Sequence, residues 1–238
     1  MKTSSLLAFV LTSAVALAAP GAKTCGELAT TAFGADVKME IARMVPAAAG
    51  LAEHCDVRGV VWPENRFVVK LPTNWNNRFQ MAGNGGWAGV LSIGPVDTAV
   101  GAGYAAATTD TGHDAQKEPG AIFAYPGAAN PNAARKVIDH GFLAVHETAV
   151  LANKMIRAYY GSDARYSYWV GCSTGGRQGL MEAQRYPEDF DGYVIGAPVL
   201  NLSGLQMKAI WNHIAVGPGE GQIKSEKLPA LAEAVYQK

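Results

Sequence analysis

The chain has 238 residues, of which 49% are hydrophobic and 17% are charged, and this composition is typical of one globular domain with a sizeable core. The 20 basic and 20 acidic residues give a formal net charge of zero, so the charge indicates neither a nucleic-acid partner nor an anionic membrane surface. Beyond the first 18 residues, no apolar run is long enough to cross a bilayer.

Residues 1–18 predict a signal peptide. Lys2 supplies the positive end, residues 6–17 form the apolar stretch, and Ala16-Leu-Ala18 is a small-x-small cleavage sequence. Pro20 follows closely, which argues against the alternative of a buried N-terminal helix. We therefore expect a mature chain that begins near Ala19 and is secreted, with an extracellular location.

Export makes the three cysteines informative, because disulfides persist outside the cell. They are Cys25, Cys55 and Cys172. Since the number is odd, one of them has no partner within the chain.

The first predicted strands span residues 57–61, 66–71 and 78–82, with a turn at Pro63-Glu-Asn65. The third strand ends in Gly83-Asn-Gly-Gly86. A glycine-rich loop after a strand could cradle phosphate, but no Gly-Lys-Ser/Thr follows, so the sequence does not support a P-loop. In elbow hydrolases such a loop supplies one N–H group of the oxyanion hole. The alternative is a loop that is glycine-rich for packing alone.

Residues 103–109 are small and apolar and predict a buried strand that leads into Asp110-Thr-Gly-His113. An aspartate and a histidine so close suggest a catalytic triad or a zinc site. Hydrolases with a serine elbow place the acid and the histidine after the serine, whereas this pair comes earlier in the chain. A zinc site would need more ligands. We expect Asp110 and His113 to hydrogen-bond a loop beside the functional site.

The longest predicted helix spans residues 133–160, with a broad apolar face and Gly141 as an interruption. His140, His146 and Glu147 lie on this helix. They also precede the candidate nucleophile described next, so we predict that they are structural groups with satisfied hydrogen bonds.

The strongest functional motif is Gly171-Cys-Ser-Thr-Gly175, which fits the pattern Gly-x-Ser-x-Gly. A β-rich run, residues 166–170, precedes it, and a predicted helix, residues 174–186, follows and is closed by Pro187. This context predicts a nucleophile elbow that presents Ser173 beside a helix N-terminus. The alternative is a glycine- and serine-rich connection in another α/β protein. The order of helix, strand, elbow and helix predicts a doubly wound, mostly parallel α/β sheet.

After the elbow helix, residues 193–195 predict one more strand, and residues 211–216 and 227–236 predict helical segments. Asn201 begins the sequon Asn-Leu-Ser203, a candidate glycosylation site in a secreted chain. His213 is the only histidine after Ser173. It lies on an apolar helical segment, which favours a packing role over that of a catalytic base.

Five sequence blocks resemble the tannase and feruloyl esterase family and occur in the family's order. They are Phe79-Gln-Met-Ala-Gly-Asn-Gly-Gly-Trp-Ala-Gly89, Tyr104-Ala-Ala-Ala-Thr-Thr-Asp-Thr-Gly-His113, His146-Glu-Thr-Ala149, Gly171-Cys-Ser-Thr-Gly-Gly-Arg-Gln-Gly179 and Asp191-Gly-Tyr-Val-Ile-Gly-Ala-Pro198. The resemblance implies a secreted α/β-hydrolase that cleaves feruloyl or galloyl esters of plant cell walls or tannins, through an acyl-enzyme on Ser173. The expected oxyanion donors are the N–H groups of Gly86, with Gly85 as its neighbour, and of Thr174.

The resemblance also implies a disulfide between Cys25 and Cys55. In the family, the cysteine before the serine pairs with one directly after the catalytic histidine, and that second cysteine is missing here. Family members are roughly twice as long, and their acid, histidine and calcium-binding lid come late in the chain. We therefore expect three regions: a signal peptide (1–18), the N-terminal part of a catalytic domain (19–200) and the start of a lid (201–238).

On this basis the sheet is expected to be incomplete at its C-terminal side, and the chain itself to hold no metal or other cofactor, because the family's calcium belongs to the lid. The alternative function is a catalytically incomplete fragment without turnover. A sugar-binding module is a third possibility, which rests only on Trp62, Trp75 and Trp87.

Overall fold

A single seven-stranded sheet organises the protein in the computed structural model, which describes residues 22–217 and 223–237. The spatial order of the strands is β1-β2-β3-β5-β4-β6-β7. Their bounds are β1 Val37–Val45, β2 His54–Val61, β3 Asn65–Pro72, β4 Arg78–Ala82, β5 Ala105–Thr109, β6 Tyr166–Cys172 and β7 Gly192–Gly196.

The pairing of neighbouring strands changes once across the sheet, from antiparallel to parallel. Strands β1 to β3 are antiparallel hairpin neighbours, and β3 also pairs antiparallel with β5. The four strands β5, β4, β6 and β7 are all parallel. Parallel neighbours need crossover connections, and helices supply them here. The prediction of a doubly wound α/β sheet with a parallel centre is confirmed.

Helices cover both faces of this sheet. The α-helices are α1 Cys25–Leu28, α2 Ile93–Gly101, α3 Ala133–Ile138, α4 Ala144–Tyr160, α5 Thr174–Arg185, α6 Leu202–Val216 and α7 Leu228–Tyr236. Two 3₁₀ turns span Ile122–Ala124 and Ser225–Lys227, and a π-helical segment spans Asp139–Leu143. The π segment contains Gly141, so the predicted interruption of the long helix is confirmed.

The alternation of β5 shows how the two faces divide. Ala106 packs with Val96 and Val100 of α2 on one face, whereas Ala105 and Ala107 join the core that contains α4 on the other face. Successive side chains of a strand point to opposite faces, so three consecutive alanines serve two helices. All five residues of β5 are buried, as the sequence predicted.

Three elements had no counterpart in the sequence predictions. Strand β1 lies at the edge of the sheet and is largely exposed, with a register irregularity between Met39 and Ile41 that interrupts its alternation. Helix α2 carries Gly94 and Pro95 in its first turn, where proline is tolerated but weakens a helical pattern. Helix α1 has only four residues, too few for periodicity.

The disulfide between Cys25 and Cys55 is formed, with the two Cα atoms 5.6 Å apart. It joins α1 to β2, and both cysteines are buried. The pairing implied by the family resemblance is confirmed. Cys172 is a free, exposed cysteine.

The last two α-helices differ from the other described α-helices because none of their residues is buried. Large apolar side chains of α6 face solvent, among them Met207, Trp211 and Ile214. No helix of the described residues is long and apolar enough to cross a membrane. The predicted signal peptide, residues 1–18, lies outside the described residues, and the predicted domain boundaries stay predictions.

Removing the disulfide should destabilise the fold. The double variant Cys25→Ser/Cys55→Ser should lose about 3 kcal/mol of unfolding free energy, because the bond closes a loop with a sequence separation of 30 residues. Urea denaturation measures the difference. Cys172→Ser is the matched control and should change stability little, since that thiol is exposed and unpaired. Equal midpoints for the double variant and the wild type would contradict the prediction.

Candidate active site

Ser173 alone forms the turn between strand β6 and helix α5. The strand ends at Cys172 and the helix begins at Thr174. The backbone of Ser173 has φ 60° and ψ −118°, a conformation that costs free energy for any residue with a side chain. The strand–turn–helix context predicted for the motif is confirmed, and the serine side chain is exposed at the carboxyl end of the parallel strands.

The glycines around Ser173 are required by close backbone contacts. A Cβ atom added at Gly171 would lie 2.5 Å from the carbonyl oxygen of Gly175. One added at Gly176 would lie 2.6 Å from the carbonyl oxygen of Gly196. Backbone atoms of packed elements cannot move aside as the end of a flexible side chain can. The tight turn therefore depends on the absence of side chains at these positions.

The glycine-rich loop after β4 is bound to the elbow helix by paired amide groups. The Asn84 N–H donates to Gln178 Oε1 at 3.0 Å, and Gln178 Nε2 donates back to Asn84 Oδ1 at 2.9 Å. The Gly175 N–H donates to the Asn84 carbonyl at 2.7 Å. Asn84 Nδ2 also donates to the carbonyls of Val90 and Thr109, both at 2.8 Å. Asn84 and Gln178 are buried, so these bonds fix the loop against the elbow.

This docking brings the three predicted site residues together. The hydroxyl of Thr174 donates to the carbonyl of Gly86, which has a positive φ of 55°. Within the described residues, the N–H groups of Gly86 and Thr174 donate to no protein acceptor. Gly86, Ser173 and Thr174 line one cavity of about 130 Å³. Two free backbone donors therefore lie in the same cavity as a strained serine, beside the N-terminus of a helix.

The same cavity contains three side chains that the sequence did not assign to the site: Trp87, His140 and Arg177. The first turns of α6 and the residue Val199 before it complete the lining, with Leu202, Leu205 and Gln206 contributed by the helix. Trp87 is in the resembled sequence blocks, and Arg177 is one helical turn after the serine. That spacing is the signal that could have indicated Arg177.

His140 lies in the π-helical segment, and the prediction that it is a satisfied structural group is wrong. Its Nδ1 atom is buried without a partner among the described residues, and its Nε2 atom is 3.3 Å from an Arg177 nitrogen. Burial lowers the pKa of His140 to about 3, and the charge of Arg177 adds to this effect. The ring in the cavity is therefore neutral at neutral pH. The extra residue of a π segment redirects a side chain, which no helical pattern predicts.

The loop after β5 shows one confirmed and one wrong prediction. Asp110 accepts hydrogen bonds from the N–H groups of Arg66 and Gly112, both at 3.0 Å, and pairs with the Arg66 guanidinium. It therefore holds the loop as expected. The two ring nitrogens of His113 are buried and make no hydrogen bond with the described residues. The ring instead stacks on Phe123, with centroids 4.1 Å apart, so apolar packing holds it.

His146 and Glu147 are satisfied, as predicted. Nδ1 of His146 is 2.6 Å from Asp189 Oδ2, and Glu147 forms an ion pair with Arg135 at 2.8 Å. Beside His146 and Asp189, the carboxyl group of Glu182 is fully buried without a hydrogen-bond donor among the described residues. Burial first, and then the neighbouring Asp189, raise the pKa of Glu182 to about 9.

The cluster His146, Glu182 and Asp189 does not fit a calcium ion. It is the one group of three or more candidate ligands among the described residues, with ligand atoms within 4.8 Å of one another. Calcium takes six to eight oxygen ligands, whereas this cluster has a histidine and only two carboxyl groups. The described residues therefore offer no calcium site in this cluster, and no chemical step is assigned to a metal.

The remaining candidates lie outside the cavity. His213 is exposed on α6, so the predicted packing role is wrong, and it does not line the cavity. Within the described residues, no histidine hydrogen-bonds the Ser173 hydroxyl. Trp62 is exposed at the rim of the sheet, and Trp75 stacks on Tyr160 with centroids 3.9 Å apart. Asn201 is exposed and its Oδ1 caps α6 by accepting from the Gly204 N–H at 2.8 Å, so glycosylation there stays a prediction.

The sheet order, the strained serine on its strand–helix turn and the docked glycine-rich loop define a serine-elbow α/β-hydrolase fold. Comparison with known proteins gives the family. The model of the tannase and feruloyl esterase family matches residues 50–238, and the chain belongs to that family.

Individual relatives agree with this assignment. A mono(2-hydroxyethyl) terephthalate hydrolase of Piscinibacter sakaiensis is 30% identical over 203 residues, covering 78% of this chain and 33% of the relative. A probable feruloyl esterase of Arthroderma benhamiae is 35% identical, covering 62% of this chain and 27% of the relative. The crystal structure of feruloyl esterase B from Aspergillus oryzae superposes with a TM-score of 0.70 at 26% identity, covering 81% of this chain and 40% of that one. The chain thus spans between about a quarter and a third of the length of the curated relatives it matches.

The close contacts at the elbow predict a strong effect of one methyl group. Gly171→Ala should reduce the unfolding free energy by about 2 kcal/mol or more, because the new Cβ would clash with the backbone of Gly175. Gly94→Ala is the matched control. No atom lies within 4 Å of its Cβ position and it is helical, so its stability should be unchanged or slightly higher. Chemical denaturation of both variants measures the contrast, and equal midpoints would contradict the explanation.

The buried carboxyl group predicts a pH dependence. Because the folded pKa of Glu182 is raised to about 9, the folded state keeps a proton that the unfolded chain releases above its ordinary pKa. The stability that this proton provides is complete at low pH and is lost progressively as the pH rises toward 9. Glu182→Gln mimics the protonated form. Relative to the wild type, it should be nearly neutral at pH 4 and more stable by about 2 kcal/mol or more at pH 8.

Denaturation midpoints from pH 4 to pH 9 measure this difference. Glu188→Gln, which changes an exposed carboxylate shortly after the end of α5, is the control and should show no such trend. A Glu182→Gln variant that is destabilised equally at both ends of the range would show that Glu182 is ionised in the folded protein.

Proposed function

We propose that the protein is a secreted serine carboxylic ester hydrolase that cleaves aryl esters such as feruloyl or galloyl esters through an acyl-enzyme on Ser173. The observation that carries the proposal is the strained Ser173 in one cavity with two free backbone N–H groups, those of Gly86 and Thr174. The names of the feruloyl esterase relatives support the substrate class, and plant cell-wall or tannin esters are its natural sources.

The proposed reaction starts with attack of Ser173 Oγ on the ester carbonyl carbon. The carbonyl oxygen becomes an oxyanion and accepts hydrogen bonds from the N–H groups of Gly86 and Thr174. Each such donor is worth about 3–4 kcal/mol in an oxyanion hole. The alcohol leaves with a proton, and water then attacks the acyl-enzyme and releases the aromatic acid.

A serine hydroxyl needs a base to take its proton and an acid to orient that base. Among the described histidines, only His140 lines the cavity of Ser173. Its low pKa makes it a weak base. No base is therefore assigned among the described residues.

Secretion is part of the proposal. The predicted signal peptide and the Cys25–Cys55 disulfide support it, because disulfides persist in oxidising compartments. A structural calcium on a lid stays an expectation from the family resemblance.

The first experiment is labelling of the purified 238-residue chain with a fluorophosphonate, followed by intact-mass analysis. We expect one label per chain in the wild type, none in Ser173→Ala, and an unchanged label in Ser162→Ala, which removes an exposed serine from a surface turn. A label that persists in Ser173→Ala would overturn the assignment of the nucleophile. Absence of label in the wild type would support the alternative of a catalytically incomplete chain.

A further inference from the structure

Arg177 is a cation in the Ser173 cavity that has no anionic partner among the described residues. Its Nη1 donates to the Gly141 carbonyl at 3.2 Å, and its Nη2 donates to the His140 carbonyl at 3.0 Å. Nη2 is also 3.3 Å from His140 Nε2. These neutral acceptors hold the guanidinium in position, but they do not neutralise its charge.

Other partly buried arginines of the protein are arranged differently. Arg58 pairs with Asp56, Arg66 with Asp110, and Arg135 with Asp139. In each of these the carboxylate raises the pKa of the guanidinium, whereas burial alone lowers the pKa of Arg177. An uncompensated charge away from water is costly, so a buried cation normally has an anion beside it. Arg177 has no such anion among the described residues, and it lines the cavity.

The size and walls of the cavity limit what the anion can be. An apolar protein cavity of about 150 Å³ accommodates one benzene ring, and the cavity at Ser173 has about 130 Å³. Two of its walls are the flat rings of Trp87 and His140, whose centroids are 6.2 Å apart. His140 is neutral, so it adds no second charge. Aromatic faces bind another ring, while the guanidinium fork matches a carboxylate.

We propose that the cavity is a binding site for a single-ring aromatic carboxylate, with the ring against Trp87 and His140 and the carboxylate on Arg177. This inference deepens the proposed function and rests on it for its biological meaning, because hydrolysis of an aryl ester releases such an acid at Ser173. Arg177 is then a specificity-determining residue that favours acidic products or substrates with a free carboxylate over neutral aromatic compounds. The binding itself does not require turnover.

The test uses the full chain with benzoate as the anionic probe and benzamide as its neutral isostere. Heteronuclear NMR titrations measure both affinities and identify the site through Gly86 and Thr174 amide shifts. We expect benzoate to bind about ten-fold or more tightly than benzamide, since a hydrogen bond between charged groups is stronger than one to a neutral amide. Arg177→Gln should lose this preference, and Arg177→Lys should keep part of it. Arg157→Gln, an exposed arginine on α4, is the matched control and should bind like the wild type.

Equal affinities for benzoate and benzamide in the wild type, or no binding of either, would overturn the inference. So would an unchanged benzoate affinity in a folded Arg177→Gln variant. If this variant does not fold, the comparison of the two probes in the wild type still decides. Fluorophosphonate labelling of Ser173 separates this result from the proposed function. Labelling without benzoate selectivity would refute only the aromatic carboxylate site, and selectivity without labelling would support that site in a catalytically incomplete chain.

Discussion

The structure depends on the close approach of two backbones, the turn at Ser173 and the glycine-rich loop that contains Asn84. The Gly175 N–H reaches the Asn84 carbonyl at 2.7 Å, and a Cβ atom at Gly83 would lie 2.7 Å from the Cα atom of Gly175. Only glycine allows this distance. The contact joins the segments that follow the carboxyl ends of two adjacent parallel strands, β4 and β6. The free N–H groups and the strained serine therefore lie in one cavity.

The elbow helix is held as closely to the sheet as it is to the loop. A Cβ atom at Gly179 would lie 2.4 Å from the Trp169 ring, and the Trp169 Nε1 atom donates to the Gly175 carbonyl at 3.0 Å. On its other side, Glu182 is buried next to Asp189 and His146. The same helix thus combines contacts that set the geometry of the site with a buried carboxyl group that opposes stability at high pH.

Charge is distributed unevenly around the site. Outside the cavity, Arg66 forms an ion pair with Asp110, and Arg135 forms one with Asp139. The cavity itself is lined by one cation, Arg177, and by one neutral imidazole, His140. A positive cavity with helical N–H groups favours developing negative charge. This is the electrostatic requirement of acyl transfer, and it also explains why an acidic aromatic ligand would be retained there.

Local patterns determined much of this protein. The elbow motif, the strands around it, the interruption at Gly141 and the buried strand β5 all follow from residue type and spacing, and the structure confirms them. The pairing of Cys25 with Cys55 followed from the family resemblance. Tertiary structure decided what no periodicity encodes: that the π segment turns His140 into the cavity, that Arg177 has carbonyl partners instead of a carboxylate, and that His113 packs on Phe123. The physical reason is that these contacts join residues distant in the chain, so they exist only after strands and helices have packed.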